Sequence, residues 1–332
     1  MSAMPQQSFP PMICPFDHSQ LDATHERELR CRSGHAFAIR GGIPRLLKDE
    51  ENYAEAFGKQ WIEYRVTQLD SYTGTQISKD RLRKCLGEAL WRTLCERGKI
   101  EILESGCGAG RFTEVLLQFP GASVTSTDLS SAVEPNKDNC PLSDRHRVIQ
   151  CDINHLPFPP EQYDIVICLG VVQHTKSPER TISDLYSQVK PGGWLIIDHY
   201  THTLSYYTKF SELALRPILK RLSPARGIAL TKALTRIFFP LHKAVRNVKA
   251  LQMVLSRFSP LLTYYHLFPQ LGDKLQYEWA ELDTHDSLTD YYKHLRSQRA
   301  IRTQLQRLGS TNLWIDRGVN GVEARCQKPP RD

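Results

Sequence analysis

Between residues 96 and 200 short apolar runs alternate with helix-patterned segments, and the first of these runs leads straight into a glycine-rich turn. KIEILE is a short β-branched run, and RFTEVLLQF, just after the turn, has helical spacing. ASVTSTD and RVIQCD predict strands that end in acids, Asp128 and Asp152. YDIVICLG and WLIIDHY predict strands buried on both faces. SPERTISDLYSQVK predicts a helix entered at Ser177-Pro178 and stopped by the following PGG. Strands alternating with helices predict βαβ units and an α/β fold, a doubly wound, mostly parallel sheet. In such sheets ligands bind beyond the carboxyl ends of the strands, and all four loops of this stretch lie there.

The chain has 332 residues, enough for a large core and more than one typical domain. Four zones are expected: residues 1–48, a small Cys/His-bearing module; 49–95, a helical lead-in; 96–200 with 297–332, the α/β domain; and 201–296, a basic helical insertion. The tail TNLWIDRGVNGVEARCQK predicts two strands joined by a Val-Asn-Gly turn. A hydrophobic fraction of 40% and a charged fraction of 24% are ordinary for a soluble globular protein. Nine irregularly spaced cysteines, several inside apolar runs, argue for buried thiols in a cytoplasmic protein rather than a disulfide framework. The start MSAMPQQSFPP lacks the pattern of a signal peptide, and no run nears ~18 apolar residues, so no spanning helix is expected.

The turn Glu104-Ser105-Gly106-Cys107-Gly108-Ala109-Gly110 combines a strand-end acid with glycines that permit a tight turn and a ligand close to the backbone. Its Gly-x-Gly-x-Gly spacing departs from the Gly-x-Gly-x-x-Gly of dinucleotide loops. With TDLS, CDINHLPFP, YDIVICLGVVQH and VKPGGWLIID following in order, residues 96–200 resemble the Rossmann-like, class I S-adenosylmethionine-dependent methyltransferases. The resemblance implies a seven-stranded sheet whose last two strands are the antiparallel pair in the tail. It implies that Glu104, Gly106 and Gly108, with Cys107 and Gly110 in the same loop, line the methionine portion of the cofactor. Asp128, beside Leu129, would hold the ribose; Asp152 and Ile153 the adenine; and Leu169 would offer its carbonyl to the amino group.

Methyl transfer asks the protein mainly for positioning and for removal of an acceptor proton. His174, just past the fourth strand in GVVQHT, is the first candidate base; similar histidines serve in some members of the family. His199, ending the fifth strand, is a second. His285, between Asp283 and Asp286 in a stretch read as helix-poor, is a third. No Asp-Pro-Pro-Tyr or Asn-Pro-Pro-Tyr follows the fourth strand, and no proline follows Cys168, which argues against nucleobase amine or cytosine C5 chemistry.

In the N-terminal module Cys14, His18, Cys31 and His35 form two candidate zinc-ligand knuckles, and a metal can hold a piece too small for its own core. The module resembles zinc-ribbon segments of some methyltransferases, including one acting on ribosomal RNA, although Asp17 stands where that family has its second cysteine. Packing of Phe16, Phe37 and Ile43 without metal is the alternative. Between Thr203 and Gln270 eleven Lys or Arg face one acid, Glu212, with apolar residues interleaved, which predicts amphipathic helices with a basic face. The leading reading is O- or C-methylation of a small or lipid-like metabolite under a lid formed by 201–296, with peripheral membrane contact as one role of its charge. RNA methylation, using the ribbon and the basic insertion, is the second reading. A non-catalytic cofactor-binding protein is the third.

Overall fold

A computed structural model describes residues 9–25, 27–47, 55–96 and 98–331. The chain opens with β1 (Leu21–His25), β2 (Glu28–Cys31), β3 (Ala36–Arg40) and β4 (Ile43–Leu46), each antiparallel to the one before it. Helices α1 (Glu55–Glu63), α2 (Asp70–Thr73) and α3 (Ile77–Glu96) follow. The alternating region comprises β5 (Ile100–Ser105), α4 (Thr113–Leu116), β6 (Ala122–Asp128), α5 (Val133–Asn139), β7 (His146–Cys151) and β8 (Tyr163–Cys168). After a 3-10 turn (Val172–His174) come α6 (Pro178–Ser187) and β9 (Val189–His199). Five helices stand between β9 and the tail: α7 (Leu204–Thr208), α8 (Phe210–Leu219), α9 (Pro224–Ala244), α10 (Lys249–Phe258) and α11 (Asp273–Thr289). The chain closes with α12 (Gln298–Arg307), β10 (Thr311–Gly318) and β11 (Gly321–Gln327).

Seven strands take the order β7-β6-β5-β8-β9-β11-β10, parallel from β7 to β9, with β11 antiparallel between β9 and β10. The expected sheet is therefore present, but it does not end at seven strands. β4 pairs in parallel with β7, Arg45 beside Gln150 and Leu46 beside Cys151, and the N-terminal meander extends the order to eleven strands. An uncovered β7 would expose a row of unpaired backbone groups. GGIPRLL supplies the cover, with Ile43 and Leu46 fully buried. Cys14, Leu29 and Phe37 share one apolar cluster with Ile149, Cys151 and Phe158, so the ribbon packs on the main core rather than around a core of its own.

Two local expectations are corrected. The PGG after α6 does not lie between elements: it sits inside β9, where pairing with β8 slips between Val189 and Trp194. Residues 283–286 are not helix-poor; they lie in α11, a stretch without glycine or proline whose Trp279, Leu282 and Leu288 are buried. All nine cysteines are free thiols, and all but Cys95 are buried. Among the described residues no helix is long and apolar enough to cross a membrane. The strand order reverses at β5, flanked by β6 on one side and β8 on the other, which opens a crevice at their carboxyl ends.

Candidate active site

That crevice is a cavity of about 830 Å³, near the upper end of the roughly 300–1,000 Å³ of small-molecule sites. Its floor is the β5–α4 loop. Gly106 and Gly108 have φ of +76° and +50°, a region costly for other residues. A Cβ on Gly106 would lie 2.2 Å from Val171 Cγ2, and one on Gly108 3.2 Å from the Trp61 ring. The Gly106 and Cys107 amides donate to the Thr127 carbonyl at 2.7 and 3.0 Å, which ties the loop to β6. The Gly108 amide donates to Asp128 Oδ2 at 3.0 Å, while the Ser130 amide and hydroxyl donate to Oδ1 at 2.9 and 2.7 Å. Asp128 is thus oriented by both loops. Burial raises its carboxyl above the usual range, opposed by these donors.

Gly106, Cys107, Gly108, Asp128, Leu129, Ile153 and Leu169 all line the cavity. The remaining expected cofactor residues sit outside its wall. Glu104 is buried under the loop, accepting hydrogen bonds from Thr113 and Ser126, and burial pushes its carboxyl up to about 7. Gly110 backs the loop against Cys140. Asp152 is engaged by its own turn: Oδ1 accepts from the Asn154 amide at 2.9 Å and Oδ2 lies 3.3 Å from His155 Nδ1.

Two guanidinium groups absent from the sequence expectations stand in the wall beside the loop. Arg81 of α3 pairs with buried Asp198 of β9, whose Oδ2 also accepts from Asn320 at 3.1 Å. Arg111 donates to Gln68 Oε1 at 2.8 Å and Ser78 Oγ at 3.0 Å, between the rings of Phe112 and Trp279. Burial, with Arg81 nearby, lowers its pKa to about 10.

Of the three histidines, His174 alone lines the cavity. Its Nδ1 lies 3.0 Å from the Tyr292 carbonyl and 3.4 Å from Asp290 Oδ2. Asp290 in turn accepts from Arg216 Nε at 2.9 Å. Burial opposes a charged ring, but the hydrogen bond to Asp290 and the charges of Asp286 and Asp290 outweigh it and raise His174 above its ordinary value. His199 lies outside the wall because strand neighbours face opposite ways: Asp198 turns toward Arg81, and His199 Nδ1 meets the Tyr200 carbonyl at 2.8 Å. His285 lies outside for the helical counterpart of that reason. Asp283 and Asp286, three residues apart, share the face of α11 that lines the cavity, while His285 points to Gln60 of α1, Nδ1 to Oε1 2.7 Å. Burial lowers both His199 and His285 to about 4.

In the ribbon, Cys14, Asp17, Cys31 and His35 bring ligand atoms within 4.8 Å of one another. His18, expected among them, is not part of this group: it sits in the turn at φ 58°, and Asp17 stands with the other three instead. Cys31 Sγ lies 3.2 Å from Asp17 Oδ2 and 3.3 Å from His35 Nδ1, and Cys14 Sγ 3.5 Å from His35 Nδ1. Ligands around a tetrahedral zinc stand about 3.3–3.8 Å apart, so two thiols, an imidazole and a carboxylate fit that ion.

A family model described as a methyltransferase domain matches residues 103–197. This segment is similar to methyltransferase domains. The match covers less than a third of the chain, from β5 to β9, and carries the floor of the cavity, Asp128 and His174. Malonyl-[acyl-carrier protein] O-methyltransferase of Priestia megaterium is 38% identical over 103 residues, 31% of this chain and 37% of that protein. Ubiquinone biosynthesis O-methyltransferase of Coxiella burnetii is 31% identical over 113 residues, 33% of this chain and 47% of that protein. A sterol 24-C-methyltransferase of Gibberella zeae is 29% identical, over 30% of this chain and 29% of its own. The chain thus spans less than half the length of these relatives. A solved S-adenosylmethionine-dependent methyltransferase of Methanococcus maripaludis is 13% identical with a TM-score of 0.46, covering 86% of this chain and 99% of that one. The ribbon and the insertion lie outside the matched domain.

Proposed function

We propose that the protein is an S-adenosylmethionine-dependent methyltransferase that methylates an O or C nucleophile of a small or lipid-like acceptor. The observation that carries this reading is one cavity in which the glycine loop, Asp128 and His174 meet. The cofactor, when bound, supplies a methyl group already activated as a sulfonium. Asp128 accepts hydrogen bonds from the ribose hydroxyls, Ile153 packs on the adenine, and Arg81 and Arg111 provide positive charge for the methionine carboxylate. The relatives are named as a malonyl-[acyl-carrier protein] O-methyltransferase, a ubiquinone biosynthesis O-methyltransferase and a sterol 24-C-methyltransferase, which supports the acceptor class. Calorimetric titration with S-adenosylhomocysteine tests the cofactor assignment: saturable one-to-one binding is expected, with no heat from NAD. Binding of NAD in its place overturns it.

His174 is the base. With Nδ1 directed at Tyr292 and Asp290, Nε2 is the nitrogen that takes the acceptor's proton, and Asp290 stabilises the imidazolium that forms. The neutral ring is the active form, so activity falls as pH drops through a pKa raised above 6.5. Asp290→Asn removes the charge that raises it. The acid limb of the kcat/KM profile is then expected to move to lower pH as the rate on the plateau falls. A merely structural Asp290 would leave the limb in place.

The ribbon is proposed to hold one structural zinc on Cys14, Asp17, Cys31 and His35. Elemental analysis of the purified protein is expected to give close to one equivalent. Cys31→Ser should lose most of it, and His18→Ala should keep it. Loss on His18→Ala would restore His18 as the ligand in place of Asp17.

A further inference from the structure

Helix α8 is amphipathic with its faces reversed. Phe210, Leu213, Ala214, Pro217 and Ile218 follow helical spacing along one stripe, and all are exposed. The opposite face carries the charges inward. Lys209 is buried beside the helix start, Glu212 accepts from Lys293 at 2.6 Å, and Arg216 bonds Asp290. Helix α10 repeats the inversion. Leu251, Val254 and Phe258 form an outward stripe, 53%, 57% and 64% exposed, while Gln252 turns inward to His242 Nδ1 and Thr263 Oγ1 at 3.0 and 2.7 Å. The Phe210 and Phe258 rings, 5.9 Å apart, join the two stripes into one surface. Leu204 and Tyr207 of α7, also exposed, continue it. A water-facing helix presents the opposite pattern, and contiguous exposed apolar surface of this kind marks a contact face.

We infer that the outward face of α7, α8 and α10 docks on an anionic lipid bilayer surface. Charge complementarity selects this occupant. Lys220 and Arg221 follow α8, and Lys249 and Arg257 lie on α10. The only acid between residues 203 and 270 is Glu212, which is turned inward. Apolar side chains enter the acyl boundary while flanking cations meet lipid phosphates, as in interfacial helices. A second copy of the chain fits poorly, because a two-fold pairing would set these cations against one another. Lys249, Met253, Ser256 and Arg257 of the same α10 also line the cavity, so the docked face borders its mouth. The inference stands apart from methyl transfer, since its test reads binding alone.

The test is co-sedimentation of the full chain with phosphatidylcholine vesicles, with and without about 30 mol% phosphatidylglycerol. Binding to the anionic vesicles is expected to exceed binding to phosphatidylcholine alone by roughly tenfold or more and to weaken with salt. The triple variant Leu213→Ser, Leu251→Ser, Phe258→Ser should lose at least about tenfold of that binding, with its melting temperature unchanged because the three side chains are exposed. Absence of vesicle binding overturns the proposal. So does equal binding by the triple variant, which would leave charge alone at work. A dimer that the variant dissociates, without vesicle binding, assigns the face to a second copy instead. Salt-sensitive RNA binding without vesicle binding assigns it to nucleic acid.

Discussion

His174→Ala is expected to lower turnover by about 10²–10⁴-fold, the range for a lost acid–base group, while S-adenosylhomocysteine affinity changes little. The split follows from where the ring sits. His174 lines the cavity from the 3-10 turn after β8, and its Nδ1 contacts run to Tyr292 and Asp290 rather than to the glycine loop. Its removal leaves Asp128, Gly106 and Gly108 as they are. His174→Gln, which keeps a polar group but cannot accept and release a proton near neutral pH, should be about as slow. A near-normal rate for either variant would make His174 scaffold and leave the reaction to positioning. The measurement is single-turnover methyl transfer at saturating cofactor, paired with calorimetry on the same preparation.

Cofactor affinity is expected to collapse when Asp128 is truncated. A hydrogen bond to a charged group contributes about 1.5–3 kcal/mol, so Asp128→Ala, which removes two such acceptors, should weaken binding by about 10²–10⁴-fold. The same change frees the Gly108 and Ser130 donors that Asp128 holds, so the loop loses one of its ties to β6 as well. Gly106→Ala should weaken binding by a different route. Its φ of +76° strains an alanine, and the new methyl would press on Val171, whose side chain lines the same cavity. Unchanged affinity in Asp128→Ala would remove the ribose assignment.

What the sequence revealed and what it hid divide along a physical line. The glycine loop, Asp128 and His174 each lie at the end of a strand, and strand ends in a parallel sheet converge by construction. Their convergence can therefore be read from order and spacing alone. Arg81 meets Asp198, and His174 meets Asp290, across more than a hundred residues of intervening chain. Nothing in local pattern announces such pairs. Asp17 and His18 differ by one position, and the left-handed turn at His18 decides which faces Cys31. The same holds for His285 among its acids: helical phase puts Asp283 and Asp286 on the cavity and His285 on α1. The basic insertion was legible as amphipathic helices, but the spacing of apolar residues gives a stripe without saying which way it faces. The inward direction of Glu212 and Arg216 is set by Lys293 and Asp290, again distant in the chain.

Methyl transfer to a small or lipid-like acceptor is the proposed reaction. Its most direct measurement is incubation of the full chain with methyl-labelled S-adenosylmethionine and a cell extract fractionated into lipid, small-metabolite and RNA pools. Label is expected in the lipid or small-metabolite pool, and is lost with His174→Ala. Label confined to RNA, or in no pool, would overturn this reading.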